Sequence, residues 1–305
     1  MRSTFTGVGT ALITPFKADG SLDEAAVSAL ARRQVDAGVH FLVPCGTTGE
    51  TPTLSGDERR RVVQLVAEAA KGRALVMAGA GGYDTREVIH AAAAMKAAGA
   101  QGLLSVTPYY NKPTPEGLYQ HYKAIADSTD LPIVVYNVPG RTGCNVTPET
   151  LARLATIPNI VGVKEASGNM TQMAEICRLV PDDFIVLSGD DALTLPLMAL
   201  GGRGIISVAS NEAPAEMVQL VEAAERGDYG EARRWQAKLL PVMQVNFCES
   251  SPGPVKFAMA TMGLCEPRWR LPMVPPTPAS QQKVLEVMKA FGLPIAAGEA
   301  AGARA

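Results

Sequence analysis

The chain alternates short, almost wholly apolar runs with longer segments in which apolar residues recur at helical spacing. Eight short runs are apolar along most of their length without alternating with polar residues: Val8–Thr14, Phe41–Pro44, Ala74–Ala80, Gly102–Thr107, Ile133–Tyr136, Ile160–Lys164, Phe184–Ser188 and Gly204–Ser207. Continuous apolar runs are typical of parallel strands that are buried on both faces. The pattern therefore predicts eight parallel strands.

Helices are predicted between these strands, and some have recognisable ends. The helix predicted over Ser55–Lys71 opens with Ser-Gly-Asp-Glu, so that Ser55 and Glu58 can form a capping box. Proline at a first-turn position favours a helix over Pro115–Ser128. The same reasoning predicts helices over Asp23–Ala37, Thr85–Ala98, Pro148–Ala155, Met170–Leu179 and Ala192–Leu200.

The order of these elements predicts an α/β fold, specifically a (β/α)8 TIM barrel over residues 1–226. Such a barrel takes about 250 residues. An open doubly wound sheet is the alternative, but the strand count and the polar residues at strand ends favour the barrel. Only helical patterns follow, over Pro214–Arg226, Tyr229–Phe247, Pro254–Met262 and Pro278–Phe291. Residues 227–305 are therefore predicted to form a small C-terminal all-helical region, with a frayed Ala/Gly-rich tail over Ala296–Ala305.

Composition and charge exclude several classes of function. The 305 residues are 47% hydrophobic and 19% charged, which is typical of a folded globular protein. A formal charge of −2 creates no global field that would attract nucleic acid or an anionic membrane. No apolar run is long enough to span a bilayer, and the first residues lack the features of a signal peptide. We therefore expect a cytoplasmic enzyme that binds neither nucleic acid nor membrane.

The cysteines and histidines do not predict a disulfide framework or a metal site. The five cysteines are odd in number and widely spaced, so they are interpreted as small apolar residues. The three histidines show no ligand spacing. A metal-dependent mechanism is therefore disfavoured.

The run Ile160-Val-Gly-Val-Lys164 ends an apolar strand on a lysine. A lysine at a strand end usually reaches solvent with its ammonium group. In a barrel, however, the carboxyl ends of the strands line the active site. A lysine that is partly shielded from water there loses its proton more readily and becomes a nucleophile. Lys164 is therefore a candidate for a Schiff base with a carbonyl substrate.

Three further features could serve such chemistry. Tyr136 ends the preceding strand, where its phenol could pass protons to and from the lysine, although it could equally be a core aromatic. The run Cys45–Glu50 places glycines and hydroxyls after the second strand, which suits a monocarboxylate, although an ordinary turn has the same composition. Arg141 follows Tyr136 closely and could clamp a second carboxylate rather than remain solvated.

Five motifs in this order resemble those of the dihydrodipicolinate synthase / N-acetylneuraminate lyase family of class I aldolases. The resemblance covers roughly residues 5–292 and rests on Gly46-Thr-Thr-Gly-Glu50, Thr107-Pro-Tyr-Tyr-Asn-Lys-Pro113, Tyr136-Asn-Val-Pro-Gly-Arg-Thr-Gly143, Gly162-Val-Lys-Glu-Ala-Ser-Gly168 and Leu187-Ser-Gly-Asp-Asp191. Each motif is moderately specific alone, and the set is very specific. It implies a Schiff-base aldolase on a TIM barrel.

The resemblance assigns the catalytic residues. Lys164 would be the Schiff-base lysine, and Tyr136, Thr47 and Tyr110 would form the proton relay. In this family the tyrosine matched by Tyr110 reaches across a tight-dimer interface into the neighbouring site. The resemblance therefore implies a homotetramer built as a dimer of tight dimers.

The resemblance also assigns the binding residues. Thr48 and the backbone around Gly46 would hold the carboxylate of pyruvate, and Arg141 would hold that of aspartate 4-semialdehyde. Gly189 and Ile206 would line the pocket around the lysine. No metal or organic cofactor is implied, because the lysine imine is itself the electron sink.

Thr47 and Arg141 also bear on the choice of reaction, because the sialic-acid lyases usually carry serine at the first position and lack arginine at the second. The resemblance therefore favours condensation of pyruvate with aspartate 4-semialdehyde to 4-hydroxy-tetrahydrodipicolinate. The alternatives are another pyruvate-linked lyase of the family, such as a keto-deoxy-sugar acid aldolase or dehydratase or N-acetylneuraminate lyase, and a retired barrel that serves as a sensor.

One departure from the family concerns feedback inhibition by lysine. Where lysine inhibits, it lies among a histidine pair, an asparagine, a glutamate and a tyrosine. Here Glu87 and Tyr109 match, but Gly56, Arg59 and Tyr83 stand at the other positions. An arginine repels a cationic effector, so we expect weak or absent inhibition. Titration of activity with L-lysine tests this, and strong inhibition would refute it.

Overall fold

The structure, a computed structural model, describes residues 4–296. Its eight strands form one closed parallel barrel in the order of the sequence, and β1 pairs with β8. This closure confirms the predicted TIM barrel and rules out the open sheet. The strands are β1 (Gly7–Ala11), β2 (Phe41–Val43), β3 (Leu75–Gly79), β4 (Gly102–Val106), β5 (Ile133–Asn137), β6 (Ile160–Glu165), β7 (Ile185–Ser188) and β8 (Gly204–Ser207).

The predicted helices are present with ends that differ by at most a few residues, and Ser55 and Glu58 form the predicted capping box. The helices are α1 (Glu24–Asp36), α2 (Gly56–Ala70), α3 (Thr85–Ala97), α4 (Pro115–Asp127), α5 (Pro139–Thr142), α6 (Pro148–Leu154), α7 (Met170–Leu179), α8 (Thr194–Ala199), α9 (Pro214–Glu225), α10 (Tyr229–Val245), α11 (Gly253–Thr261) and α12 (Pro278–Phe291). Short 3₁₀ helices cover Thr51–Thr53, Asp191–Leu193 and Ala209–Asn211.

The barrel interior is filled by side chains and leaves no pore. One apolar cluster gathers inward side chains of the barrel strands and includes Met77, Leu104, Val134, Tyr136 and Ile206. A separate and larger cluster packs the outer face of the strands against the surrounding helices. The two clusters match the packed interior and the helical layer of a TIM barrel.

The C-terminal helix α11 packs at the end of the barrel where the strands have their carboxyl ends. In α11, Val255 and Met259 pack against Ile13, which follows β1, and Val208, which follows β8. Both strands therefore meet α11 at their carboxyl ends, where barrel enzymes place their active sites. Whether residues 227–305 form a unit separate from residues 1–226 stays a prediction. Residues 297–305, most of the predicted tail, lie outside the described residues.

The cysteines are free thiols. Burial raises the pKa of the Cys45 thiol to about 12, so it stays protonated near neutral pH. Within residues 4–296, no three side chains of His, Cys, Asp or Glu are grouped as metal ligands would be. None of the helices in the described part of the chain combines the length and apolarity needed to traverse a bilayer.

Candidate active site

Lys164 and Tyr136 lie side by side at the carboxyl ends of neighbouring strands. Their Cα atoms are partners in the pairing of β6 with β5. Both residues are buried, with 5% of Lys164 and 7% of Tyr136 exposed. The Lys164 Nζ atom lies 4.2 Å from the centre of the Tyr136 ring. The amine is thus largely shielded from water and held against an aromatic face, where an ammonium group is favourably placed.

A cavity of about 390 Å³ opens beside Tyr136 at this end of the barrel. Four of the predicted site residues line it: Gly46, Thr47, Tyr136 and Arg141. Apolar residues such as Leu104, Val106 and Val138 form much of the remaining wall. A small, largely apolar cavity with a few convergent polar groups is typical of a small-molecule site.

The turn Gly46–Glu50 is fixed by hydrogen bonds from several directions. Two of its own N–H groups donate to carbonyls within the turn at 3.1 Å. The Thr51 hydroxyl donates to the Gly46 carbonyl at 2.9 Å, and the Thr14 hydroxyl donates to the Gly49 carbonyl at 2.7 Å. Thr47 is exposed to the cavity, whereas Thr48 is buried beneath the turn. The two threonines therefore occupy different environments.

Arg141 lies in the short helix α5, which the sequence pattern did not predict. Pro139 occupies the first position of this helix, and Gly143 ends it in the left-handed conformation at φ +66°. The proline ring presets the helical φ of a helix start, which explains the local fold. Arg141 is exposed at the cavity wall, and its Nη2 atom donates to the Ser251 carbonyl at 3.4 Å.

Gly189 lies against the lysine, and Ile206 lies in the barrel interior. A Cβ atom on Gly189 would stand 3.1 Å from Lys164 Cε and 2.6 Å from Ala166 Cβ. The missing side chain therefore leaves room for the lysine. Ile206 is fully buried in the interior cluster that also contains Tyr136. Neither residue is among those that line the cavity.

Tyr110 is not brought to the cavity of its own chain. It is 92% exposed, and its backbone adopts the left-handed conformation at φ +68°. This conformation is uncommon for a residue with a side chain and marks positions with a special requirement. Its neighbour Tyr109 instead packs edge-on against Tyr83, with ring centres 5.1 Å apart.

Comparison with known proteins agrees with this geometry. The sequence profile described as the dihydrodipicolinate synthetase family matches residues 4–291. The chain belongs to the dihydrodipicolinate synthetase family.

Relatives within the dihydrodipicolinate synthetase family are similar over nearly their whole length. The 4-hydroxy-tetrahydrodipicolinate synthase of Koribacter versatilis is 51% identical over 290 residues, which cover 94% of this chain and 96% of the relative. The crystal structure of dihydrodipicolinate synthase from Thermotoga maritima superposes with a TM-score of 0.93 at 46% identity and covers 95% of this chain and 99% of the other. The chloride-inhibited synthase of Acinetobacter baumannii, crystallised with pyruvate, gives 0.93 at 40% identity, with coverages of 95% and 100%.

Two residues that the sequence reasoning did not single out stabilise the strand ends of this family member. The Asn137 side-chain amide donates to Glu165 Oε2 at 2.8 Å, and the Ser167 N–H donates to Glu165 Oε1 at 2.7 Å. Asn137 and Glu165 are fully buried and directly follow Tyr136 and Lys164. The available signal was a polar residue after each buried strand, but nothing in the sequence pairs the two.

The five positions that the resemblance assigns to lysine inhibition do come together. Gly56, Arg59, Tyr83, Glu87 and Tyr109 all line a second cavity of about 410 Å³. Arg59 also lines the first cavity, so a positively charged side chain is shared by the two cavities. Weak or absent inhibition by lysine stays a prediction.

Proposed function

We propose that the chain condenses pyruvate with L-aspartate 4-semialdehyde to give 4-hydroxy-tetrahydrodipicolinate, a step of lysine and diaminopimelate biosynthesis, through a Schiff base on Lys164. The observation that carries the proposal is the buried Lys164 amine, 4.2 Å from the centre of the Tyr136 ring, at the catalytic end of a TIM barrel. Its curated relatives carry the name 4-hydroxy-tetrahydrodipicolinate synthase over nearly their full length.

The first half of the reaction forms the imine. The pyruvate carboxylate binds at the turn around Gly46 and Thr48, and the neutral Lys164 amine attacks the 2-oxo carbon. Proton transfer gives a carbinolamine, whose hydroxyl leaves as water with a proton relayed by Tyr136. Loss of a proton from the methyl group then converts the iminium ion into an enamine. The iminium nitrogen accepts the electron pair, so this step needs no other electron sink.

The second half of the reaction forms the carbon–carbon bond and releases the lysine. The enamine carbon attacks the aldehyde carbon of the semialdehyde, whose carboxylate is paired with the Arg141 guanidinium. The aldehyde oxygen takes a proton from the relay of Tyr136, Thr47 and Tyr110. The substrate amine then adds to the imine carbon, closes the ring and expels the Lys164 amine.

We further propose that Tyr110 acts in the site of a second copy, within a tetramer of two tight dimers. Its exposure of 92% and its strained backbone support a role outside its own cavity. Mixing the variants Lys164→Ala and Tyr110→Phe tests this, because a mixed dimer then contains one site with both groups intact. Recovery of activity on mixing is expected, and its absence would contradict the arrangement.

The decisive experiment for the function is intact-mass measurement after borohydride reduction with pyruvate. We expect one stable adduct per chain in the unmodified protein and none in Lys164→Ala. Lys289→Ala, which changes an exposed lysine on α12, is the matched control and should form the adduct normally. A coupled assay with aspartate 4-semialdehyde then tests the second substrate. An unmodified chain that traps no pyruvate would refute the proposal.

A further inference from the structure

The turn that carries Thr47 and Thr48 ends on a buried carboxylate. Glu50 is 3% exposed and has a left-handed backbone at φ +52°. A residue with a side chain keeps this conformation only when its surroundings fix it. The contacts of Glu50 therefore decide where the turn lies.

The partner of this carboxylate comes from the C-terminal helical region. Lys256 on α11 is fully buried, and its Nζ atom lies 2.5 Å from Glu50 Oε1. The same Nζ atom lies 4.1 Å from the centre of the Phe16 ring. Burial lowers the pKa of Lys256, while the charge and hydrogen bond of Glu50 oppose that change. The two charges thus compensate each other in a site without water contact.

The second carboxylate oxygen is also occupied. The backbone N–H of Arg270 donates to Glu50 Oε2 at 3.1 Å. The Arg270 guanidinium pairs with Glu58 at 2.6 Å and donates to the Thr53 carbonyl at 2.9 Å. Both oxygens of Glu50 are therefore held by residues that lie more than 200 positions further along the chain.

The segment that leads into α11 touches the other carboxylate-binding position as well. The Ser251 carbonyl accepts the hydrogen bond from Arg141. One short stretch, residues 251–256, thus contacts the turn Gly46–Glu50 through Glu50 and also contacts Arg141, which lines the cavity.

We propose that Lys256 is a positioning residue, whose ion pair with Glu50 holds the turn Gly46–Glu50 where it receives the pyruvate carboxylate. The inference rests on the proposed function, since it assigns the pyruvate carboxylate to that turn. Removing one partner of a buried pair leaves an uncompensated charge, which the structure relieves by moving the carboxylate towards water. Because Glu50 belongs to the turn, that movement displaces the hydroxyls and N–H groups that face the substrate.

Lys256→Met tests this, because methionine keeps an unbranched side chain and removes the charge. The pyruvate concentration that half-saturates borohydride trapping should rise about 10-fold, since a displaced binding group weakens binding of the substrate it contacts. The KM for the semialdehyde should change by less than about threefold. A residue that serves stability alone would not shift the half-saturating pyruvate concentration selectively.

Val284→Ala is the control for a loss of stability alone. Val284 is fully buried among the C-terminal helices, so its truncation lowers the free energy of unfolding without touching the turn. It should leave the half-saturating pyruvate concentration unchanged. A folded Lys256→Met protein with unchanged half-saturation would overturn the inference, and so would an equal shift in Val284→Ala.

A second variant keeps the inference testable when Lys256→Met fails to fold. If Lys256→Met does not fold, Glu50→Gln is measured in the same way, because the amide keeps the shape and removes the charge. A rise of about threefold in the half-saturating pyruvate concentration supports the inference, and no rise overturns it. If the unmodified chain traps no pyruvate, the proposed function is refuted and this inference with it. If the unmodified chain traps pyruvate normally and the half-saturating pyruvate concentration of the variant is unchanged, the inference alone is refuted.

Discussion

Tyr136 is paired with Lys164 because β6 contains one extra residue. Ile133 pairs with Ile160, but Val134 pairs with Gly162, so the register shifts by one between these positions. In a regular strand, residues two positions apart face the same side of the sheet. Val161, however, belongs to the interior cluster and Val163 to the outer one, so the alternation of inward and outward side chains is interrupted between them. Without the irregularity Tyr136 would face Val163, and Lys164 would continue to the outer face. Such bulges re-aim side chains beside active sites.

Gly162→Ala should therefore reduce imine formation severely. A Cβ atom there would stand 2.4 Å from the Ile185 carbonyl oxygen, so β6 or β7 must shift. Glycine in a strand commonly marks such a close approach. Pyruvate trapping measured by intact mass should fall, whereas Gly56→Ala, whose Cβ would meet no atom within 4 Å, should retain it. Normal trapping in Gly162→Ala would show that the bulge does not aim the lysine.

Tyr136→Phe should lower the turnover number on the order of 10²-fold, the size of one general acid–base contribution. The ring that packs against Lys164 is retained, so the loss would reflect the hydroxyl. Steady-state kinetics measures this, with Tyr119→Phe as a control because Tyr119 packs against Arg153 on the outside of the barrel. A turnover number within about twofold of the unmodified chain would contradict the relay role.

Arg141→Ala should raise the KM for the semialdehyde and leave pyruvate trapping nearly intact. The guanidinium at the cavity wall would pair with the second substrate only, because the turn around Gly46 and Thr48 is proposed to hold the first. Arg153→Ala removes an arginine that pairs with Glu116 at the surface and should change neither property. If trapping failed in Arg141→Ala, the assigned role would be wrong.

Glu212→Gln should weaken the dependence of stability on pH. Burial raises the pKa of Glu212 from 4.5 to about 8, the charge of Asp191 adds to this, and Asn246 and Arg33 oppose it. Between about pH 5 and about pH 8 the carboxyl is protonated when folded and ionised when unfolded. Raising the pH through this range therefore favours the unfolded chain and lowers the free energy of unfolding.

Denaturant unfolding at both ends of that range measures the effect. The decline should be smaller in Glu212→Gln, because glutamine cannot ionise. Glu225→Gln, an exposed change at the end of helix α9, should retain the full decline. An unchanged decline in Glu212→Gln would assign the pH dependence to other groups.

The fold could be predicted because each strand is a continuous apolar run and because apolar residues recur at helical spacing in each helix. Lys164 and Tyr136 could be found because they end two such runs. Their alignment could not be derived, since strict alternation from Val161 would send Lys164 outward. The pair of Glu50 and Lys256 was equally inaccessible, because 206 positions separate them and only the closed barrel brings them together.

The contact of Lys256 with Glu50 also bears on how the chain becomes active during synthesis. All eight strands are complete by Ser207, yet Glu50 has no cationic partner until α11 has been made and has docked. A nascent or truncated chain that ends near residue 226 would carry a barrel with an unneutralised carboxylate next to its threonines. Competence to bind pyruvate would then appear late, after the last helices leave the ribosome, and shortening the protein to its barrel would remove it.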